Sequence, residues 1–266
     1  MKILKLNVWN FNLAHEIIDF IRDVKPDPIN MQEVSTGKYN GGEDKKTNFY
    51  ELIKNTFNYE GIFALKLTIN YPDNEKAYYG NGFLTNLDII DCGFIFDRNL
   101  QSHMEVDSTH PYLTDKSDFR GWNFYYNFSS TQVWATLKYD GKYFRNLTTH
   151  FTVSKECTET LQITQQSDSI CEFIKNNRDM PTIFSGDLNI HEQSYSINNI
   201  ESVLEMVTKS QQNSLNPKIH PAFKNNLPNG MKVDYIFQKG FKTIDVDHPL
   251  VSISDHLPVI AKLELM

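Results

Sequence analysis

The run Thr182-Ile183-Phe184 is β-prone and stops on Ser185-Gly186-Asp187-Leu188-Asn189, so a strand there delivers one carboxylate and one amide to a sheet edge. Gly186 permits a tight exit, and Asp187 and Asn189, two apart, point the same way if the extended geometry continues. An Asx-type turn, in which both side chains bond nearby backbone N–H groups, is the competing reading, and the stretch alone weighs the two equally. Other β-prone runs end in the same manner. Met31-Gln32-Glu33-Val34 brings a glutamate to a strand end, as a metal ligand or a solvated carboxylate. Thr148-Thr149-His150 brings a histidine, and Asn7 closes the run from Ile3. Val233-Asp234-Tyr235-Ile236-Phe237 carries an aspartate, and Ser254-Asp255-His256 sets an Asp-His pair ahead of a terminal strand.

Asn7, Glu33, His150, Asp187, Asn189, Asp234, Asp255 and His256 thus all sit at or beside expected strand ends. Glu33 and Asp255 suit a hard cation such as Mg2+, with Mn2+ as a substitute, and water and phosphate oxygens complete an octahedron. His256, its tautomer fixed by Asp234, and His150 supply proton transfer or phosphate contacts, and Asp187 aligns or deprotonates an attacking water.

The elements that must hold these residues alternate in kind. A strand over 3–8 is followed by apolar positions Leu13, Ile17, Ile18, Ile21 and Val24 at helical spacing, with Asn12 as the cap and Pro26 and Pro28 as the stop, and then by a strand over 29–34. A second strand–helix–strand unit joins a strand over 143–149, a helix over 154–176 and the Asp187 strand. Between them lie a charged surface loop over 37–46, a helix over 49–57 and strands over 61–67, 81–85 and 88–96. Irregular sequence over 99–122 precedes strands over 124–128 and 132–138, the latter joined to 143–149 by Tyr139-Asp140-Gly141-Lys142. A helix over 197–209, a loop over 210–230, a strand over 232–237 and two β-prone runs around Asp255-His256 complete the chain. Successive strands without helices pair antiparallel, so the sheet is mixed.

Composition narrows the chemistry. At 266 residues one large α/β domain spanning 1–266 buries a sizeable core without staples, and no linker divides it. The net charge of −7 excludes a bulk positive field for non-specific nucleic-acid capture, so a phosphate-bearing ligand must be met locally, with a bridging cation. Cys92, Cys157 and Cys171 lack zinc or disulfide-framework spacing. No signal peptide or apolar span of 18 residues is present, which gives the expectation of a soluble cytoplasmic protein, with secretion after loss of a leader as the other case.

In order and spacing, Asn7, Met31-Gln32-Glu33-Val34, Gly80-Asn81-Gly82-Phe83-Leu84, Thr149-His150, Gly186-Asp187-Leu188-Asn189, Val233-Asp234-Tyr235-Ile236-Phe237 and Ser254-Asp255-His256-Leu257-Pro258-Val259 resemble the endonuclease/exonuclease/phosphatase (DNase I-like) superfamily from end to end. The resemblance implies a four-layer α/β sandwich, two packed mixed β-sheets flanked by helices, and metal-dependent phosphoester hydrolysis. It implies Glu33 as principal metal ligand with Asn7 and Asp255 beside it, Asp187 positioning the nucleophile, Asn189 holding a phosphate oxygen, His256 oriented by Asp234 at the phosphate, and His150 beside it. The Thr149-His150 form and the negative charge disfavour the abasic-site endonuclease class, and the spacing from His150 to Gln162 resembles the tyrosyl-DNA phosphodiesterase and sphingomyelinase branches. A nuclease-like phosphodiesterase is the leading expectation. A phosphatase or lipid phosphodiesterase of inositol phosphate or sphingomyelin type is the alternative, and a silent binding module the third. The expected partner is a phosphoester substrate, nucleic acid among the candidates, with no obligate protein partner.

Overall fold

The computed structural model of the chain describes residues 1–37, 48–96, 104–107, 131–154, 157–220 and 230–266. The expected loop over 37–46, the strand over 124–128 and most of the 99–122 segment lie outside the described residues, as do 221–229 of the expected 210–230 loop.

Two mixed sheets form the body. In the first, β12 (Phe241–Asp247), β13 (Val259–Leu265), β1 (Lys2–Asn7), β2 (Pro28–Gly37), β4 (Lys76–Thr85), β3 (Glu60–Asn70) and β6 (Met104–Asp107) lie side by side. In the second, the order is β10 (Glu205–Met206), β11 (Asp234–Lys239), β9 (Thr182–Asp187), β8 (Lys142–His150), β7 (Gln132–Tyr139) and β5 (Asp88–Ile95). Both expected strand–helix–strand units are present as parallel pairs, β1 beside β2 around helix α1 (Ala14–Val24) and β8 beside β9 around helix α3 (Leu161–Asn176). Each pair occupies the interior of its sheet, so four carboxyl-terminal strand ends converge on one edge of the sandwich.

Three apolar layers hold this arrangement. Helix α1 and helix α2 (Phe49–Phe57) bury Ile17, Ile21 and Ile53 on the outer face of the first sheet. Helix α3 and helix α4 (Tyr195–Glu201) bury Ile163, Ile170 and Ile197 on the outer face of the second. Between the sheets, Ile3, Phe83, Phe144, Ile183, Ile236 and Val259 interdigitate. Strand alternation then turns this inner layer polar toward the converging ends: Asn30 and Asn146 exchange amide hydrogen bonds at 3.0 and 2.7 Å, Asn30 Nδ2 donates to Ser185 Oγ at 2.8 Å, and Gln32 Nε2 donates to Thr148 Oγ1 at 2.8 Å. Asn146, within an acceptor pattern for glycosylation, is wholly buried here.

Several elements differ from their sequence expectation. Helix α3 starts at Leu161 rather than near 154, because the Thr160 side chain accepts the Ile163 N–H and caps it there. Asn12 does not cap α1; its Nδ2 donates to Trp9 O. Helix α4 ends at Glu201 instead of running to 209: the Ser202 hydroxyl bonds back to Asn199 O, and Glu205 and Met206 leave to pair with β11. The β-prone run Val251-Ser252-Ile253 is not a strand, because the Asn216 side chain takes Val251 O and Ser254 O as its acceptors. The Asp140-Gly141 hairpin forms as expected, with φ of 49° and 77°.

Candidate active site

Asn7, at the end of β1, points into the space between the sheets, because Ile3 faces inward in the same strand and side chains alternate. Its Oδ1 accepts the Trp9 N–H at 3.0 Å, and its Nδ2 donates to Glu33 Oε1 at 3.2 Å and Asp187 Oδ2 at 3.0 Å. Asn7 therefore holds two carboxylates of different sheets in register, with its oxygen turned to its own backbone.

Glu33 stands on a β-bulge. Met31 pairs with Gly82 and Val34 with Gly80, so β2 carries one residue more than β4, and Glu33 adopts a φ of 54°. Left-handed backbone at a glutamate is strained, and the bulge re-aims its side chain into the cleft. Burial, and then the nearby Asp255 carboxylate, push its carboxyl up to about 7. Burial likewise raises Asp255, which lies beside the Ser254 hydroxyl at 3.3 Å.

From the second sheet, β9 delivers Asp187. The Gly186 stretch is an Asx turn in part: Asp187 Oδ1 accepts the Asn189 N–H at 3.1 Å, and the turn holds the carboxylate at the strand end. Asn189 does not continue the strand. Its φ is 49°, and its Nδ2 donates to Phe151 O at 3.0 Å. Gly186 is required by packing: a Cβ there would lie 2.5 Å from Thr149 O across the parallel pair. Gly186→Ala is expected to destabilise the fold by about 1–3 kcal/mol through overpacking, read from urea unfolding midpoints.

Around Asp187 Oδ2 two imidazoles close in, His150 Nε2 at 3.6 Å from the end of β8 and His256 Nε2 at 3.7 Å from the loop before β13. Burial opposes the ionised form of Asp187, but His150, His256, Lys5 and the Asn7 amide outweigh it and hold its carboxyl down at about 2. Burial lowers His150 to about 3, so it is a neutral imidazole at physiological pH. His256 Nδ1 lies 2.7 Å from Asp234 Oδ2, and a carboxylate there requires Nδ1 to carry the proton, as expected for an orienting partner.

Residues that the sequence reading passed over complete the site. Lys5, wholly buried two positions before Asn7, forms an ion pair with Asp234 Oδ1. Ser214 Oγ accepts the N–H groups of Val233 and Asp234 at 2.9 and 3.1 Å, and Ser254 Oγ donates to Asn7 O at 2.6 Å. Leu215 bridges His256 and Asn216 N–H bonds Asp255 O, so this part of the 210–230 loop clamps the Asp-His segment. His220, from the same loop, packs its ring edge-on to His256 at 5.7 Å. Lys5 shares the inward face of β1 with Ile3 and Asn7, and Leu4 and Leu6 fill the other face.

The donor set fits a hard divalent cation. Two carboxyls are raised, Glu33, which is half-buried, and Asp255, which is buried; Asp187, Asp234 and His256 offer ligand atoms within 4.8 Å of one another, as do His220, Asp255 and His256, and Glu33 belongs to neither group. Asn7, an expected ligand, has its oxygen engaged by the Trp9 N–H and turns its amide nitrogen to the Glu33 and Asp187 carboxylates.

No family model matches the sequence, and no curated protein matches it. Solved structures do. An endonuclease/exonuclease/phosphatase from Bacteroides vulgatus aligns with a TM-score of 0.68 at 18% identity, covering 100% of this chain and 98% of that one. The human Nocturnin catalytic domain, solved with a bound sulfate anion, aligns with a TM-score of 0.68 at 14% identity over 100% and 93%. A mannosyl-6-phosphatase from Bacteroides thetaiotaomicron aligns with a TM-score of 0.64 at 14% identity over 100% of both chains. Two helix-flanked mixed sheets with polar strand ends on one edge are the DNase I-like fold. The chain has the fold of the endonuclease/exonuclease/phosphatase superfamily.

Proposed function

We propose that the chain is a divalent-metal-dependent phosphoester hydrolase that uses an activated water, and in the first instance a nuclease-like phosphodiesterase. One observation carries this reading: Asp187 Oδ2 is met by Asn7 Nδ2, His150 Nε2 and His256 Nε2 within 3.7 Å, beside the raised carboxyls of Glu33 and Asp255. Asp187, ionised at neutral pH, aligns the water and accepts its proton. His256, with Nδ1 bonded to Asp234, presents Nε2 to the phosphate, and neutral His150 hydrogen-bonds beside it. Asn189, whose Nδ2 donates one hydrogen to Phe151 O, has a second amide hydrogen for a phosphate oxygen in this reading. Glu33 and Asp255 would hold the cation, which would supply charge neutralisation to the phosphoryl group.

The second reading, a phosphatase or a lipid phosphodiesterase of inositol phosphate or sphingomyelin type, is favoured by the net charge of −7, which gives a long polyanion no general attraction. Among the described residues no helix is long and apolar enough to cross a membrane. Single- and double-stranded DNA, RNA, a sugar phosphate, an inositol phosphate and sphingomyelin vesicles, each with Mg2+ and with EDTA, separate these readings. Absence of EDTA-sensitive turnover on all of them would remove the hydrolase.

The pH dependence of metal binding follows from Glu33. Its folded carboxyl titrates near 7 against an ordinary 4.5, so below pH 7 a cation must displace a proton. Metal affinity is expected to fall about tenfold per pH unit below 7, about 1.4 kcal/mol each. In melts, the rise in Tm given by saturating over EDTA conditions at a fixed Mg2+ concentration should be larger at pH 8 than at pH 6, and Glu33→Gln should flatten that difference. An equal rise at both pH values in the unmodified chain would take Glu33 off the ligand set.

A further inference from the structure

Lys66 has no role in the chemistry above, yet it lies at the site. It is the extra residue of a second bulge: Leu65 pairs with Gly80 and Leu67 with Tyr79, leaving Lys66 unopposed on β3. The Glu33 bulge flanks the same residue of β4 from the other side, since Val34 also pairs with Gly80. The two distortions therefore sit level, one strand either side of β4, with their side chains about 10 Å apart at their roots by ordinary strand spacing. Ala64, two residues earlier, belongs to the inter-sheet core, so Lys66 continues the inward face at the cleft end.

The environment of this lysine is unusual. It is 4% exposed, and among the described residues no hydrogen bond or ion pair reaches its ammonium. Its charge is felt by Glu33 and Asp187 and by His150, groups of both sheets, which places it in the shared cleft. The side chain is almost wholly covered, yet Lys66 Nζ is not one of the wholly enclosed atoms without a hydrogen bond, as Lys5 Nζ is, so its charge stands at the cleft for a ligand to use. Ammonium groups take phosphate as point charges, without demanding a fixed geometry.

We propose that Lys66 is a specificity-determining residue that receives a second anionic group of the substrate, a phosphate standing beside the scissile phosphoryl group. In this reading the scissile group is claimed by Asp187, Asn189 and His256, which gather at Asn7 on the end of β1, whereas Lys66 stands on β3, beyond β2 and β4, and faces the next group along. This inference rests on the hydrolase reading, but its binding arm does not require turnover.

Kinetics on matched pairs test it: a sugar monophosphate against the corresponding bisphosphate, and a dinucleotide with and without a 5′-terminal phosphate. Unmodified protein should favour the extra phosphate by tenfold or more in kcat/KM in one pair, chiefly through KM; the pair that responds tells a sugar bisphosphate from a nucleic-acid end. Lys66→Met should bring the ratio to near unity, and Lys66→Arg should restore most of it. A structural countercharge would instead lower both members of each pair equally, and that result overturns the proposal, as does a ratio near unity in the unmodified protein. Calorimetric titration of Asp187→Asn protein with inorganic phosphate and pyrophosphate, at fixed free Mg2+, reads the same residue without turnover. Pyrophosphate should bind at least tenfold tighter, and the added Lys66→Met change should abolish the margin. If no substrate is turned over, an unchanged margin sinks the lysine assignment, whereas a lost margin upholds it while the hydrolase reading falls.

Discussion

Asp187→Asn is expected to lower kcat by about 10²–10⁴-fold, with KM changed little and the fold retained. The magnitude follows from what the carboxylate does. Its Oδ2 accepts the Asn7 amide and lies 3.6 and 3.7 Å from His150 Nε2 and His256 Nε2, and an amide in its place has neither the charge nor the basicity to take a proton from water. Stability moves less, because two terms oppose. The folded carboxyl is depressed from 3.8 to about 2, a contribution of about 2 kcal/mol that is complete above the unfolded value and lost as pH falls through the folded one. Against this, removing the charge relieves its repulsion of Glu33 and Asp255, whose carboxyls the same burial raises. One geometric cost remains: Oδ1 and Oδ2 both accept N–H groups, from Asn189 and Asn7, and asparagine offers only one oxygen. Steady-state rates with the responding substrate, beside a thermal melt at pH 7, check both halves. Rates equal to the unmodified chain would end the role given to Asp187.

The strand ends were legible because their signal is local. An apolar β-branched run that stops on a polar residue names its own terminus, so Asp187, His150 and Glu33 could be placed on an edge before any pairing was known. The two parallel pairs were legible as well, since a helical period between two strands forces the crossover. What the chain does not print is how backbone geometry aims each group. Glu33 reaches the cleft through a left-handed bulge, and Asn189 leaves the strand by the same conformation; neither is glycine, so neither shows the expected mark of such a turn. Lys5 and Lys66 were passed over for another reason. Lysine ordinarily keeps its ammonium in water, and only three-dimensional burial tells an inward lysine from a surface one. The β12 strand escaped because its exposed residues alternate against a single sheet face, with Lys242 and Asp245 diluting the apolar signal.

Asp234→Ala is expected to destabilise the protein by about 3–5 kcal/mol and, separately, to slow catalysis. Asp234 is wholly buried, pairing with Lys5 through Oδ1 and with His256 Nδ1 through Oδ2 at 2.7 Å. Removing it strands a buried ammonium, and breaking such a pair costs far more than the pair contributes over an apolar substitute. Burial already lowers Lys5 to about 7, and without Asp234 its amine should fall further, so the extra loss of stability should be largest in acid, ease as pH rises toward 7 and stay constant above it. Replacing both partners separates the two effects. Lys5→Met with Asp234→Leu removes both charges from an interior layer that Ile3 and Ile236 already fill with hydrocarbon, so most of the stability should return. Activity should not return with it. His256 would lack the carboxylate that fixes its tautomer and ring orientation, a loss worth up to about 10⁴-fold where a histidine depends on such a partner. Urea midpoints and kcat on the same two variants read the terms independently, and a double variant that recovers both would leave Asp234 a purely structural counterion.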